Sequence, residues 1–282
     1  MKEVLLTKSS KDYELLDSGE GEKLERFGAV VVRRPDPQVL WQKQLPSSVW
    51  NKADIAFGKG WTGKSQVPNP WTIEFEGKFF GLKLSSFKHV GIFPEQEENW
   101  RWIESSIRSA ERPIRLLNLF AYTGGATLAG LKVGAEVCHV DGSKTAIASA
   151  RENARLSGLE KGSVRWILDD ALAFVKREIK REKQYDAIVM DPPAFGHGPK
   201  GEPWKIEEHF PELMSIIPQI LSNKPLFVLV NGYASGYSAL AYENCLSPLL
   251  ALHGGQIESG EVALAESGGR ALPAGIFARW SK

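Results

Sequence analysis

The sequence predicts an α/β protein: a doubly wound sheet preceded by a small β-rich domain. From Ile114 onward, apolar strand-like runs alternate with helical segments, the pattern of a parallel sheet with helices on both faces. Several of those runs end on an acid or a glycine pair, as strand ends around a ligand cleft do. Upstream of about residue 85, short β-type runs are instead separated by Pro, Gly and Ser clusters, with no long helical periodicity. The division is therefore drawn at 1–85 and 86–282.

Composition narrows the class. The chain has 282 residues, 43% hydrophobic and 24% charged, enough for a large core and unlike a disordered or membrane chain. Thirty-five basic against 34 acidic side chains give a net charge of +1, so any nucleic-acid partner must be met by local patches. Two cysteines, Cys138 and Cys245, make no disulfide framework and no metal-type spacing. With no apolar leader or membrane-length run, a soluble, cytoplasmic protein without metal or membrane partner is expected, its oligomeric state open.

In the first domain, Ala29 to Arg33, Trp71 to Phe75 and Lys78 to Leu84 read as strands. Trp41, Trp50, Trp61 and Trp71 are interleaved there with Lys43, Lys52, Lys59 and Lys64, a mixture able to stack bases and neutralise phosphates. Tryptophans filling a thin core under solvated lysines is the competing reading. In the second domain, Ile114 to Phe120 is the first strand and ends towards Gly124-Gly125. Glu136 to Val140 is the second, and Ser143 caps a helix closed by Gly158. Val164 to Leu168 follows, with Asp169 or Asp170 capping the next helix, then Tyr185 to Met190. Leu213 to Leu221 is helical, Leu226 to Val230 is a fifth strand, and Gly255 to Val262 with Ile276 to Trp280 form a closing hairpin.

The strand ends carry the chemistry. Adjacent Gly124 and Gly125 let backbone approach a ligand but do not make the dinucleotide G-x-G-x-x-G fingerprint. Asp141 stands where a carboxylate accepts from both ribose hydroxyls, or is simply a helix-terminal acid. Asp170, or Asp169, could accept from an adenine amine or cap its helix. Asp191-Pro192-Pro193-Ala194-Phe195 is the most specific feature. Two prolines after a buried strand stiffen a row of acceptors, and an aromatic follows, which suits a planar base with an amino group. His197 and His209 lack partners for a zinc set, and Arg270 belongs to turn chemistry or contacts a phosphate.

Together these motifs resemble class I S-adenosylmethionine-dependent methyltransferases, whose sheet is seven-stranded and Rossmann-like. Leu117 to Gly125 and Asp191 to Phe195 are similar to ribosomal RNA large-subunit methyltransferases I and K, and Lys88 to Gln96 to the family segment that covers the cofactor. The resemblance spans about residue 80 to the end. It implies S-adenosylmethionine held by Phe93, Gln96, Asn118, Phe120, Tyr122 to Gly125, Asp141, Gly142, Asp169 and Asp170. Asp191, Pro192, Pro193 and Phe195 would then serve the acceptor. Two departures matter. The 5-methylcytosine members place a cysteine just after the fifth strand, where this chain reads Asn231-Gly232-Tyr233-Ala234-Ser235, and the family's amino-terminal RNA module is replaced by the Trp-rich domain. The expectation is methyl transfer to a base nitrogen of RNA, with ribosomal RNA foremost. A protein or small-molecule acceptor, or a non-catalytic RNA-binding module, are the alternatives.

Overall fold

The computed structural model describes residues 3–63, 67–85, 88–233 and 236–282. The chain forms two compact units: Met1–Leu5, Glu98–Glu261 and Gly275–Lys282 make the larger, Leu6–Glu97 with Val262–Ala274 the smaller.

The smaller unit is β-rich. After β1 (Glu3–Thr7) come β2 (Tyr13–Gly19), β3 (Glu22–Phe27), β4 (Val30–Pro35), a short α1 (Ser47–Trp50), β5 (Ile55–Phe57) and β6 (Trp61–Gly63). β2 to β6 form one sheet in sequence order, and β7 (Trp71–Phe75) pairs with β8 (Lys78–Leu82) in a second. The sequence divides the chain after residue 85, whereas this unit runs to Glu97. Hydrogen bonds fix the extra segment: Arg34 Nη1 donates to the Lys88 carbonyl (3.1 Å), and Thr7 Oγ1 donates to the Pro94 carbonyl (3.1 Å). The unit also recruits 262–274. There Arg270 donates to Asp17 Oδ1 (2.7 Å), Glu266 Oε1 (2.5 Å) and the Ser18 carbonyl (2.7 Å), so its guanidinium is an internal clasp and not a phosphate contact.

The larger unit alternates as the sequence predicts. Its elements are α2 (Glu97–Ser109), β9 (Arg115–Leu119), α3 (Gly125–Lys132), β10 (Glu136–Asp141), α4 (Lys144–Leu156), β11 (Val164–Leu168), α5 (Ala171–Lys180) and β12 (Ala187–Met190). There follow a small hairpin, β13 (Phe195–His197) and β14 (Pro203–Lys205), then α6 (Ile206–Ile216), β15 (Phe227–Gly232), α7 (Ala239–His253), β16 (Gln256–Ala265) and β17 (Ala271–Ser281). The sheet order is β1-β16-β17-β15-β12-β9-β10-β11. β11, β10, β9, β12 and β15 run parallel, and β17 is antiparallel to β15. Eight strands replace the expected seven because β1, from the amino terminus, adds beside β16.

The local chemistry explains the elements. β12 and β15 are buried along their whole length, as interior parallel strands covered on both faces must be. Ser143 Oγ accepts from the Ala146 N–H (3.3 Å) to cap α4, which Gly158 leaves with φ +68°. Asp170 Oδ1 accepts from the Ala173 N–H (2.8 Å), settling which of the two acids caps α5. The helix expected over Leu213 to Leu221 starts earlier, at Ile206, and ends in a 3₁₀ turn at Ile217–Ile220. Strand order reverses between β9 and β12, so a crevice opens at their carboxyl ends.

Candidate functional site: the strand ends at the switch point

The turn after β9 is built from unusual backbone. Phe120 (φ +54°), Tyr122 (φ +47°) and Gly124 (φ +90°) alternate into left-handed conformation, which costs non-glycine residues of order 1 kcal/mol each and clusters at functional sites. Asp141 at the end of β10 holds this shape: Oδ2 accepts from the Tyr122 N–H (2.8 Å) and Oδ1 from the Ser143 N–H (2.7 Å). Burial raises the Asp141 carboxyl above its ordinary value, against those two hydrogen bonds. The glycine pair divides its work. Gly124 supplies the positive φ, while a Cβ on Gly125 would lie 2.1 Å from the Trp100 indole of α2. The space a Gly125 side chain would need therefore belongs to a tryptophan.

Beneath the turn, Asn118 is buried and donates Nδ2–H to Thr127 Oγ1 (3.0 Å), and Thr127 Oγ1 lies 2.9 Å from His139 Nδ1. The Thr127 hydroxyl thus links the Asn118 amide to the His139 ring. Burial pushes the imidazole down to about 3, so it is neutral. The Thr123 carbonyl accepts from Asn153 Nδ2 (2.9 Å). Asn118 thus braces the turn from below.

At the end of β11, Asp169 ion-pairs with Arg177 and accepts the Asp170 N–H (3.0 Å), while Asp170 caps α5. The β13–β14 hairpin passes over this edge. A Cβ on Gly142 would come within 2.9 Å of the His197 carbonyl, and one on Gly198 within 3.2 Å of Asp170 Cβ. His197 contributes through its backbone, its side chain being exposed. No sequence signal marked the hairpin, because three-residue strands carry no periodicity.

The loop after β12 sorts its own acceptors. The Pro193 carbonyl accepts from Trp204 Nε1 (2.7 Å) and the Ala194 carbonyl from the Ile206 N–H (3.1 Å). Among the described residues the Asp191 carboxylate and the Pro192 carbonyl accept no hydrogen bond. Burial alone pushes Asp191 up to about 6. Phe195, 72% exposed, presents its ring to solvent. One strand over, Asn231, next to last in β15, accepts through Oδ1 from Asn99 Nδ2 (2.9 Å). Cys138 is buried and its thiol pushed up to about 11, and Cys245 lies half-buried in α7. Among the described residues no cluster of three His, Cys, Asp or Glu could hold a metal, and no helix is long and apolar enough to cross a membrane.

The smaller unit holds the remaining expected residues. Phe93, whose ring meets His89 at 5.3 Å, and Gln96, whose N–H reaches the Phe93 carbonyl (3.1 Å), lie on the segment leading to α2. The Trp-Lys mixture looks different in place. Trp50 and Trp71 are core residues, and Trp41 and Trp61 are half-buried with their N–H groups bound to Ser18 and Ser85 carbonyls. Lys43 pairs with Glu20 (3.2 Å) and Glu22 (2.8 Å), leaving Lys52 and Lys59 exposed; Lys64 lies outside the described residues. All four tryptophans and Lys43 are therefore at least partly committed to packing or ion pairs within the unit.

The pattern of S-adenosylmethionine-dependent methyltransferases matches residues 58–246. The chain belongs to that family. Ribosomal RNA large subunit methyltransferase I of Aeromonas salmonicida is 33% identical over 177 residues, covering 60% of this chain and 44% of that protein. Its namesake from Aeromonas hydrophila is 40% identical over 161 residues, covering 52% and 39%. The chain thus spans less than half the length of these curated relatives. The crystal structure of a SAM-dependent methyltransferase from Agrobacterium tumefaciens superposes with a TM-score of 0.95 at 39% identity, covering 99% of this chain and 93% of that one. The methyltransferase SMU.776, solved with S-adenosylhomocysteine, shares the fold at TM-score 0.70 and 16% identity, covering 96% and 76%. The family's cofactor is S-adenosylmethionine, and the donor set fits it: a positioned acid at the end of β10, a rigid left-handed turn, and the first-turn N–H groups of α3 immediately after it.

Proposed function

We propose that this protein transfers a methyl group from S-adenosylmethionine to a nitrogen of an RNA base, ribosomal RNA being the acceptor its named relatives suggest. The observation that carries the reading is the loop after β12: two open acceptors, the Asp191 carboxylate and the Pro192 carbonyl, beside an exposed aromatic ring. A planar base stacks on Phe195 while its amino protons go to those two oxygens. The bound cofactor supplies an electrophilic methyl on a sulfonium. The chain's task is alignment and proton acceptance, with Asp191 raising the nitrogen's nucleophilicity and taking up its proton.

Asp141 receives the ribose hydroxyls, each of its oxygens keeping a lone pair beyond the backbone N–H it already accepts. Tyr122 to Gly125 and the start of α3 receive the amino-acid end, and Gly142, Asp169 and Asp170 border the adenine. Asn118 and Phe120 hold the turn from behind. A covalent route through a pyrimidine is disfavoured because the carboxyl end of β15 carries Asn231-Gly232 and no thiol, Cys138 being buried in β10 and Cys245 lying within α7. Of the four lysines interleaved with the tryptophans, Lys52 and Lys59 stand exposed for phosphate contacts in the β-rich unit. Mass spectrometry of nucleosides in ribosomal RNA from a strain lacking the gene tests the reading. One missing base-methylated nucleoside, restored by the gene, is expected; an unchanged set moves the acceptor to another class.

A further inference from the structure

We propose that Trp204 is a positioning residue that locks the acceptor loop to the cofactor turn, so that the two halves of the site form one rigid piece; the proposal rests on the methyltransferase reading above. Trp204 lies in β14, 3% exposed, and touches both loops. Its Nε1–H donates to the Pro193 carbonyl at 2.7 Å, and its ring lies 4.6 Å from that of Phe120, the first left-handed residue of the turn after β9. His209 of α6 stacks on it at 5.5 Å with an interplanar angle of 27°, so the indole is held between two rings.

The contact does two things. It occupies the third acceptor of the Asp191-Pro192-Pro193 row, and the Ile206 N–H occupies the fourth, at Ala194. Only the first two acceptors, Asp191 and Pro192, then face an incoming amine, and an amino group has two protons to give. Both prolines lack an N–H, so the loop has little backbone bonding of its own and needs an external donor to fix it. Packing against Phe120 sets where this pair stands relative to the methyl donor. The hairpin that carries Trp204 also meets Gly142 and Asp170 through His197 and Gly198, so one element spans the ends of β10, β11 and β12. An in-line displacement needs its atoms placed to within a fraction of an ångström, and a displacement of about 1 Å can lower the rate about 100-fold.

Trp204→Phe keeps a ring against Phe120 and His209 but removes the N–H. Three measurements on the full-length variant test the proposal. Affinity for S-adenosylhomocysteine by calorimetry should stay within about threefold of wild type, since no cofactor-facing group is lost, while kcat on ribosomal RNA from the deletion strain falls roughly 10- to 100-fold. In hydrogen exchange, S-adenosylhomocysteine should protect residues 195–205 in the wild type and protect them less in the variant. Should Trp204→Phe not fold, Phe120→Leu carries the test: it leaves the bond to Pro193 but loosens the turn contact, and the same loss of linked protection is expected. Wild-type kcat in a folded Trp204→Phe protein, or equal cofactor-linked protection in both, overturns the proposal and leaves the methyltransferase reading standing. A wild-type protein that binds no S-adenosylhomocysteine overturns both, and calorimetry alone reveals it.

Discussion

Asp191 sets activity against stability, and Asp191→Asn separates the two. Burial, with no compensating hydrogen bond, raises its carboxyl from an ordinary 3.8 to about 6. That gap is worth about 3 kcal/mol at roughly 1.4 kcal/mol per pH unit, and partial exposure of the side chain screens it to on the order of 1–2 kcal/mol. Between pH 3.8 and about 6 the folded protein binds more protons than the unfolded chain, so stability falls as pH rises through that window. Above it the ionised carboxylate is a standing cost that a neutral amide of the same shape mostly removes. Asp191→Asn is therefore expected to raise Tm at pH 7.5 by about 2–6 °C and to leave Tm near that of wild type at pH 4. Methyl transfer behaves oppositely. At saturating cofactor the wild-type rate should drop about tenfold per unit below pH 6 as the proton acceptor is lost, whereas Asp191→Asn is slower at pH 7.5 and lacks that step. Differential scanning fluorimetry and a pH–rate profile measure both. A variant that is no more stable at pH 7.5 and keeps the wild-type profile refutes the assignment.

Asp141→Ala removes a charged acceptor and frees the Tyr122 and Ser143 N–H groups, so calorimetry should show S-adenosylhomocysteine bound weaker by about 1.5–3 kcal/mol; unchanged affinity makes Asp141 a turn clamp only. Phe195→Ala, at a ring 72% exposed, should leave Tm unchanged and raise the Michaelis constant for the acceptor by the equivalent of about 1–3 kcal/mol. If kcat falls instead, the ring is not a stacking platform. The double variant Cys138→Ala, Cys245→Ser should keep wild-type kcat per folded molecule, because neither thiol lies at a strand end facing the loop after β12. A covalent adduct trapped with 5-fluoropyrimidine RNA would contradict this.

The sequence by itself determined the alternating sheet, the cap at Ser143, a cap at Asp169 or Asp170, and the strand ends at Asp141 and Asp191, because each is written locally. Continuous apolar runs mark interior strands, a hydroxyl or acid before a helix marks its cap, and paired prolines mark a stiff loop. Partners distant along the chain decided the rest. Gly125 is a glycine because Trp100 fills its side-chain space, and Asn118 donates to Thr127, which in turn meets His139. Lys43 and Trp50 read locally as a nucleic-acid surface, but Glu20, Glu22 and the core claim them. The acceptor row of Asp191 to Ala194 is visible in the sequence, yet which carbonyls stay open depends on Trp204 and Ile206 folding back over it. A residue's type limits what it can donate or accept; which partner arrives first is settled by tertiary packing, and that leaves each polar group either spent inside the fold or open to a substrate.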